Sequence, residues 1–184
     1  MALSESPSPT APSDWVRRFV PLIRGGGHVL DLAAGEGRHT RYLRELGFRV
    51  TAVDRDVTAL TEAFGGDPDC TIVAADLEIG APWKLGANYD GIVVTKYLHR
   101  PLFSALSNAL AEGGVLIYET FMRGNEWFGK PSNPEFLLKA NELFDSLAGP
   151  LSVIAFEQGR VDRPKPAMMQ RIAAVKADMG RLPD

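Results

Sequence analysis

A chain of 184 residues, 45% hydrophobic and 23% charged, has room for one well-buried core and too little length for two comfortable domains. Its 23 acidic and 20 basic residues give a formal net charge of -3, without the basic excess that broad phosphate neutralisation requires, so nucleic acid is a disfavoured partner. The single cysteine, Cys70, excludes an intramolecular disulfide and argues against structural zinc, and no segment approaches the ~20 apolar residues of a membrane span.

Residues 1–12 are rich in Ser and Pro, with neither a basic start nor an apolar stretch. They read as a loose tail rather than a signal peptide, which points to a cytoplasmic protein. Residues 13–184 then form a single domain. Ser13 is a suitable helix N-cap, and Trp15, Val16, Phe19, Val20 and Ile23 follow at helical spacing until the glycines at 25–27. Residues 28–32 read as a short buried strand, 33–37 as a glycine turn, and 38–46 as a helix closed by Gly47.

The alternation continues with a strand at 48–53, a helix at 57–64 and a strand at 71–75, Cys70 reading as an inert, buried thiol at the start of that run. A strand at 89–95, a helix at 101–111 and a strand at 115–120 complete it. Beyond an irregular stretch, 121–133, the apolar spacing of Phe136, Leu137, Ala140, Leu143, Phe144 and Leu147 predicts one helix over 134–147. Two last runs, 151–156 and 169–176, lie either side of Pro164 and Pro166 and read as a closing pair of strands. Several strands are near-continuous apolar runs, as expected where helices cover both faces of a parallel, doubly wound sheet.

Such a sheet binds its ligand at the carboxyl ends of its strands, where strand order reverses. Asp31 lies near the end of the first strand, before Gly35 and Gly37, whose missing Cβ atoms allow a tight turn and a close ligand. A dinucleotide fingerprint would place Gly or Ala where Thr40 stands and would avoid an acid facing a pyrophosphate. Asp54 ends the second strand, 17 residues past Gly37, where a carboxylate can grip ribose hydroxyls. Asp76 ends the third, with Leu77 beside it to cover a base. Three acids at successive strand ends suit a cationic nucleoside. S-adenosylmethionine, with an amino group and a sulfonium but no phosphate, meets that requirement better than a nicotinamide dinucleotide.

The pattern Asp31-x-x-x-Gly35-x-Gly37 with Asp54 and Asp76 resembles the cofactor motifs of class I S-adenosylmethionine-dependent methyltransferases. The resemblance extends over residues 29–121, and the last two strands resemble the antiparallel pair that closes that family's sheet. Gly35-Glu36-Gly37-Arg38, with the run ending at Asp54, is similar to small bacterial methyltransferases of the tellurite-resistance and thiopurine type. What the resemblance implies is an α/β, Rossmann-like, doubly wound sheet of seven strands. It would be mostly parallel, with an antiparallel closing strand and helices on both faces. S-adenosylmethionine would be the cofactor. Asp31 would hold its amino group, the turn containing Ala33, Gly35, Glu36, Gly37 and Arg38 would line its methionyl part, and Asp54 with Arg55 would meet the ribose. Asp76 and Leu77 would recognise adenine, and Thr95, Lys96 and Tyr97 would border the sulfonium.

Methyl transfer from a sulfonium is an in-line displacement, so a base is needed only for an acceptor that arrives protonated. His99, an imidazole at the exit of the fourth strand, and Tyr97 are the candidate catalytic residues. The alternative for His99 and Arg100 is capping of the next helix. Glu119 and Arg123 fall near the expected acceptor face, whereas His39 reads as the start of a helix. Trp127 and Phe128, between Gly124 and Gly129, read either as a lid over the acceptor or as packing for their own loop. The absence of an Asn-Pro-Pro-aromatic element after the fourth strand counts against methylation of DNA bases. A small-molecule acceptor is the leading expectation, with no metal, no membrane and a monomer or homodimer. Arg160, Arg163, Lys165 and Arg171 keep an RNA or protein acceptor open, and a non-catalytic cofactor-binding module is a further alternative.

Overall fold

Seven strands form one sheet in the order β3-β2-β1-β4-β5-β7-β6 in the computed structural model, which describes residues 11–79, 86 and 88–177. The strands are β1 His28–Leu32, β2 Arg49–Asp54, β3 Cys70–Ala74, β4 Tyr89–Thr95, β5 Leu110–Phe121, β6 Ser152–Val161 and β7 Ala167–Val175. The first five are mutually parallel. β7 runs antiparallel to both neighbours, which leaves β6 pointing the same way as β1 to β5. The expected closing strand is therefore present. The tail expected over residues 1–12 falls almost wholly outside the described residues.

Two apolar layers explain the winding. On one face, Trp15, Val16 and Phe19 of α1 (Asp14–Phe19), Leu43 of α2 (Arg38–Glu45) and Leu60 and Phe64 of α3 (Thr58–Phe64) pack on Val29, Val50, Val93 and Ile117. On the other, Phe103 and Leu106 of α4 (Phe103–Ala109) and Leu143 and Leu147 of α5 (Glu142–Leu147) pack on Leu30, Ile92, Leu116 and Ile172. Val29 and Leu30 thus feed opposite layers, as the two-residue period of a strand requires. Both layers bury residues of the same central strands, which is why those strands read as continuous apolar runs.

The N-terminal expectation holds in detail: the Ser13 hydroxyl accepts a hydrogen bond from the Val16 N–H at 3.2 Å. Cys70 is half-buried, and burial raises its thiol pKa. The long helix expected over 134–147 is corrected. Only Pro134–Phe136 forms a single 3-10 turn before α5 begins at Glu142. Between them, Leu138 bridges to Met122 in a short parallel pairing, its N–H donating to the Phe121 carbonyl at 3.0 Å and its carbonyl accepting from Arg123 at 2.9 Å. Leu137 and Leu138 are fully buried by this route, whereas Phe136 and Phe144 stay exposed. Backbone pairing with a distant strand end outweighs the local helical period.

No helix among the described residues is long and apolar enough to cross a membrane.

Candidate functional site

Strand order reverses between β1 and β4: the chain winds outward through β2 and β3, then returns to β1's other side. A crevice opens there at the carboxyl edge. Two non-glycine residues with left-handed backbones flank it, Ala33 (φ 56) just after β1 and Lys96 (φ 55) just after β4. Such conformations cost energy and concentrate at functional sites. Gly35 and Gly37 are also left-handed, φ 57 and 79. A Cβ on Gly35 would meet nothing within 4 Å, whereas one on Gly37 would strike Leu60 and Phe64 at 2.7–2.8 Å. The first glycine leaves open space over the turn, and the second seats α3 against it.

A cleft of about 320 Å³ lies along this edge, formed by Ala33 from the exit of β1, Asp54 and Arg55 from the end of β2, residues 75–78 after β3 and Tyr97 after β4. Asp54 is held by its neighbours: one carboxylate oxygen accepts from the Gly35 N–H at 2.8 Å and the other from the Asp56 N–H at 3.2 Å. Asp76 likewise accepts from the Glu78 N–H at 2.9 Å. These turns aim two carboxylates at one opening. The Tyr97 hydroxyl is buried without a hydrogen-bond partner among the described residues. Burial, then the nearby Glu78, Asp76 and Asp54 carboxylates, push its pKa up, so it stays protonated.

Asp31 lies beneath the glycine turn, 1% exposed. The Thr40 hydroxyl donates a 2.7 Å hydrogen bond to its carboxylate. Burial raises its pKa to about 6, against the opposing effect of that bond. Thr40, the residue that breaks the dinucleotide pattern, thus has a specific partner. Arg38 opens α2, and Glu36 is exposed on the turn.

His39 is 2% exposed and does more than begin α2. Its Nε2 accepts from the Ser13 N–H at 3.2 Å, and its Nδ1 lies 3.3 Å from the Thr95 hydroxyl. A backbone donor on Nε2 requires the Nδ1–H tautomer, so the ring donates to Thr95. Burial, followed by the charges of Arg38 and Lys96, lowers its pKa to about 3.

The structure therefore brings Ala33, Asp54, Arg55, Asp76, Leu77 and Tyr97 together around one cleft and sets Gly35 beside Asp54. Thr95, Lys96 and His99 stand on the exit of β4 outside that lining. His99 precedes the 3-10 turn Arg100–Leu102, its carbonyl accepting from the Leu102 N–H at 3.0 Å. Arg100 is engaged elsewhere, bonded to Glu142 at 2.5 Å and to the Glu135 carbonyl at 2.7 Å. Glu119 is buried against Arg171 at 3.2 Å. Trp127 is 85% exposed, and the Arg160 guanidinium lies 5.4 Å from the centre of the Phe128 ring. Glu78 was not foreseen. Its signal was the Asp76-x-Glu78 spacing, which builds the turn beside the cleft.

A family of proteins described as "Methyltransferase domain" matches residues 7–152. The chain belongs to that family. Similar proteins include the protein-L-isoaspartate O-methyltransferase of Chlorobaculum tepidum, 35% identical over 94 residues, 50% of this chain and 43% of that protein. The trans-aconitate 2-methyltransferase of Klebsiella pneumoniae is 33% identical over 96 residues, 48% of this chain and 37% of that protein. This chain thus aligns with less than half the length of either relative. Its fold is that of TehB from Haemophilus influenzae, with a TM-score of 0.69, 22% identity, and 89% of this chain and 61% of that one covered. A TehB-like SAM-dependent methyltransferase from Corynebacterium glutamicum superposes at 0.64, with 18% identity and 88% of each chain covered.

The donor set of this cleft fits S-adenosylmethionine. The cleft is walled by carboxylates, its turn leaves space over Gly35, and the buried Tyr97 hydroxyl, without a partner among the described residues, is a neutral donor.

Proposed function

We propose that this chain catalyses transfer of a methyl group from S-adenosylmethionine to a small-molecule acceptor. The observation that carries the reading is the pair of turn-held carboxylates, Asp54 and Asp76, facing one cleft at the switch point of the sheet. When bound, the cofactor supplies a methyl group already activated by a sulfonium. Asp54, fixed by two backbone N–H groups, grips the ribose with its remaining lone pairs. Asp76 takes the adenine amino group, and Leu77 covers the ring. The glycine turn follows the methionyl portion, and Asp31 holds the amino end through Thr40. Thr95 and Lys96 border the methyl end.

The protein's part in the chemistry is alignment in a site that excludes water, an effect worth up to ~7–11 kcal/mol for well-oriented reactants. Tyr97 serves as a neutral hydrogen-bond donor rather than a base. His99 is the group on this edge to receive a proton from an acceptor that carries one.

A second reading, an RNA acceptor, is favoured by Trp127 and by the Arg160–Phe128 stack on the same edge. Incubation of a metabolite extract with isotope-labelled cofactor, followed by mass analysis, separates the two. Label in a small molecule is expected. Label confined to RNA or protein, or none transferred, would overturn the leading reading.

A further inference from the structure

Beneath the first turn of α2 the interior of the sheet turns polar. Val93 of β4 pairs with Asp31 of β1 and packs in the layer under α1, α2 and α3. Thr95, two residues on, therefore faces the same side of the sheet as Asp31. Leu32 and Val94 are also level, so Ala33 and Thr95 leave their strands side by side at the crevice. α2 turns two consecutive polar residues onto this layer, His39 and Thr40, 2% and 0% exposed. Thr40 bonds to Asp31 on β1, and His39 bonds to Thr95 on β4.

The His39 ring has one way to make its bonds. The Ser13 N–H can only donate, so Nε2 accepts at 3.2 Å and Nδ1 carries the proton. The Thr95 oxygen then accepts from Nδ1 at 3.3 Å, which leaves the hydroxyl its own proton to give. Among the described residues that hydroxyl has no other hydrogen bond. The start of α1 thus sets the tautomer from one side of the ring, and the tautomer turns Thr95 into a donor on the other.

A ligand decides what takes that proton. At its amino-acid end S-adenosylmethionine carries an ammonium, which only donates, and a carboxylate, which only accepts. Its sulfonium repels a donor. Asp31 on the neighbouring strand suits the ammonium, and the Thr95 proton suits the carboxylate. The methyl group and the amino-acid arm share one sulfur, so a residue that borders the first also meets the second.

We propose that His39 is a positioning residue, holding the Thr95 hydroxyl as a donor to the carboxylate at the cofactor's amino-acid end. The assignment rests on the methyltransferase reading above and gives a duty to a buried side chain that touches no ligand.

The test is calorimetric titration with S-adenosylhomocysteine and with its decarboxylated analogue, which keeps the amine. Thr95→Val should weaken the first about tenfold, the effect of one charge-assisted hydrogen bond, and spare the second. An asparagine amide reaches the place of Nδ1 and a glutamine amide that of Nε2, so two variants separate the two bonds of the ring. His39→Gln keeps an acceptor for Ser13 and should bind S-adenosylhomocysteine about tenfold more weakly, whereas His39→Asn keeps a donor to Thr95 and should restore most of that loss. The opposite order, or equal losses, would mean that the ring merely anchors α1, and overturns the proposal. So does unchanged affinity in Thr95→Val, or a loss shared by both ligands. The unsubstituted protein supplies a readout that folding of the variants does not touch. In long-range proton–nitrogen spectra His39 should be the Nδ1–H tautomer, its Nδ1 resonance shifted by S-adenosylhomocysteine and not by the decarboxylated analogue. An Nε2–H tautomer, or equal shifts with the two ligands, overturns the proposal as well. A parent protein that binds neither nucleoside sinks the methyltransferase reading instead.

Discussion

Single side chains at the carboxyl edge have separable duties. Asp54→Ala removes the one carboxylate that both braces the glycine turn and faces the cleft. It should weaken S-adenosylhomocysteine binding by about tenfold or more, since a charge-assisted hydrogen bond contributes ~1.5–3 kcal/mol; unchanged affinity by calorimetry would remove Asp54 from the ribose site. His99→Ala should leave that affinity within about twofold, because an imidazole outside the lining contributes no such bond. Asp31 makes a stability claim. Its folded-state pKa of about 6 lies above the ordinary 3.8, so the unfolded chain ionises first. The stability tied to the neutral acid is full below pH 4 and is lost as pH rises through 6, by on the order of 3 kcal/mol. Asp31→Asn should flatten that segment of a melting-temperature profile, and a profile that still falls between pH 4 and 6 would place the titration elsewhere.

Elements were legible where period and tertiary environment agree. The β1–α2–β2–α3–β3 succession is written in apolar runs closed by glycine, and the acids at the strand ends mark the crevice. The segment over 134–147 was not legible. Its apolar spacing is helical, yet a neighbour remote in sequence, the Phe121–Met122 backbone, claims Leu138. Local periodicity carries no information about such a partner. For the same reason His39 read as an ordinary first-turn residue: nothing near it in sequence announces Ser13 or Thr95. Leu138→Ala should therefore cost about 2–5 kcal/mol in chemical denaturation, the range for a fully buried leucine. A cost below 1 kcal/mol would mean that burial of the Leu138 side chain contributes little.

At the scale of the whole molecule, a run of alternating charges joins parts far apart in the chain. Arg18 on α1 meets Glu157 on β6 at 3.0 Å, Glu157 lies 3.9 Å from Arg171 on β7, and Arg171 meets Glu119 on β5. Burial decides what each member is worth. Removing Arg171 strands the Glu119 carboxylate in the interior, so Arg171→Ala should cost about 3–5 kcal/mol. Arg18→Ala breaks an exposed pair and should cost less than about 1 kcal/mol. Equal losses in the two variants would show that the run acts as a unit rather than through its buried end.

The wet indole of Trp127, on the loop that leaves β5 at the open end of the sheet, gives the molecule an optical reporter of its own. Its emission, isolated by subtracting the spectrum of Trp127→Phe, will sit toward the red while water surrounds the ring and move to shorter wavelength when something settles over it. Compounds can then be sorted by colour alone, with no label and no turnover.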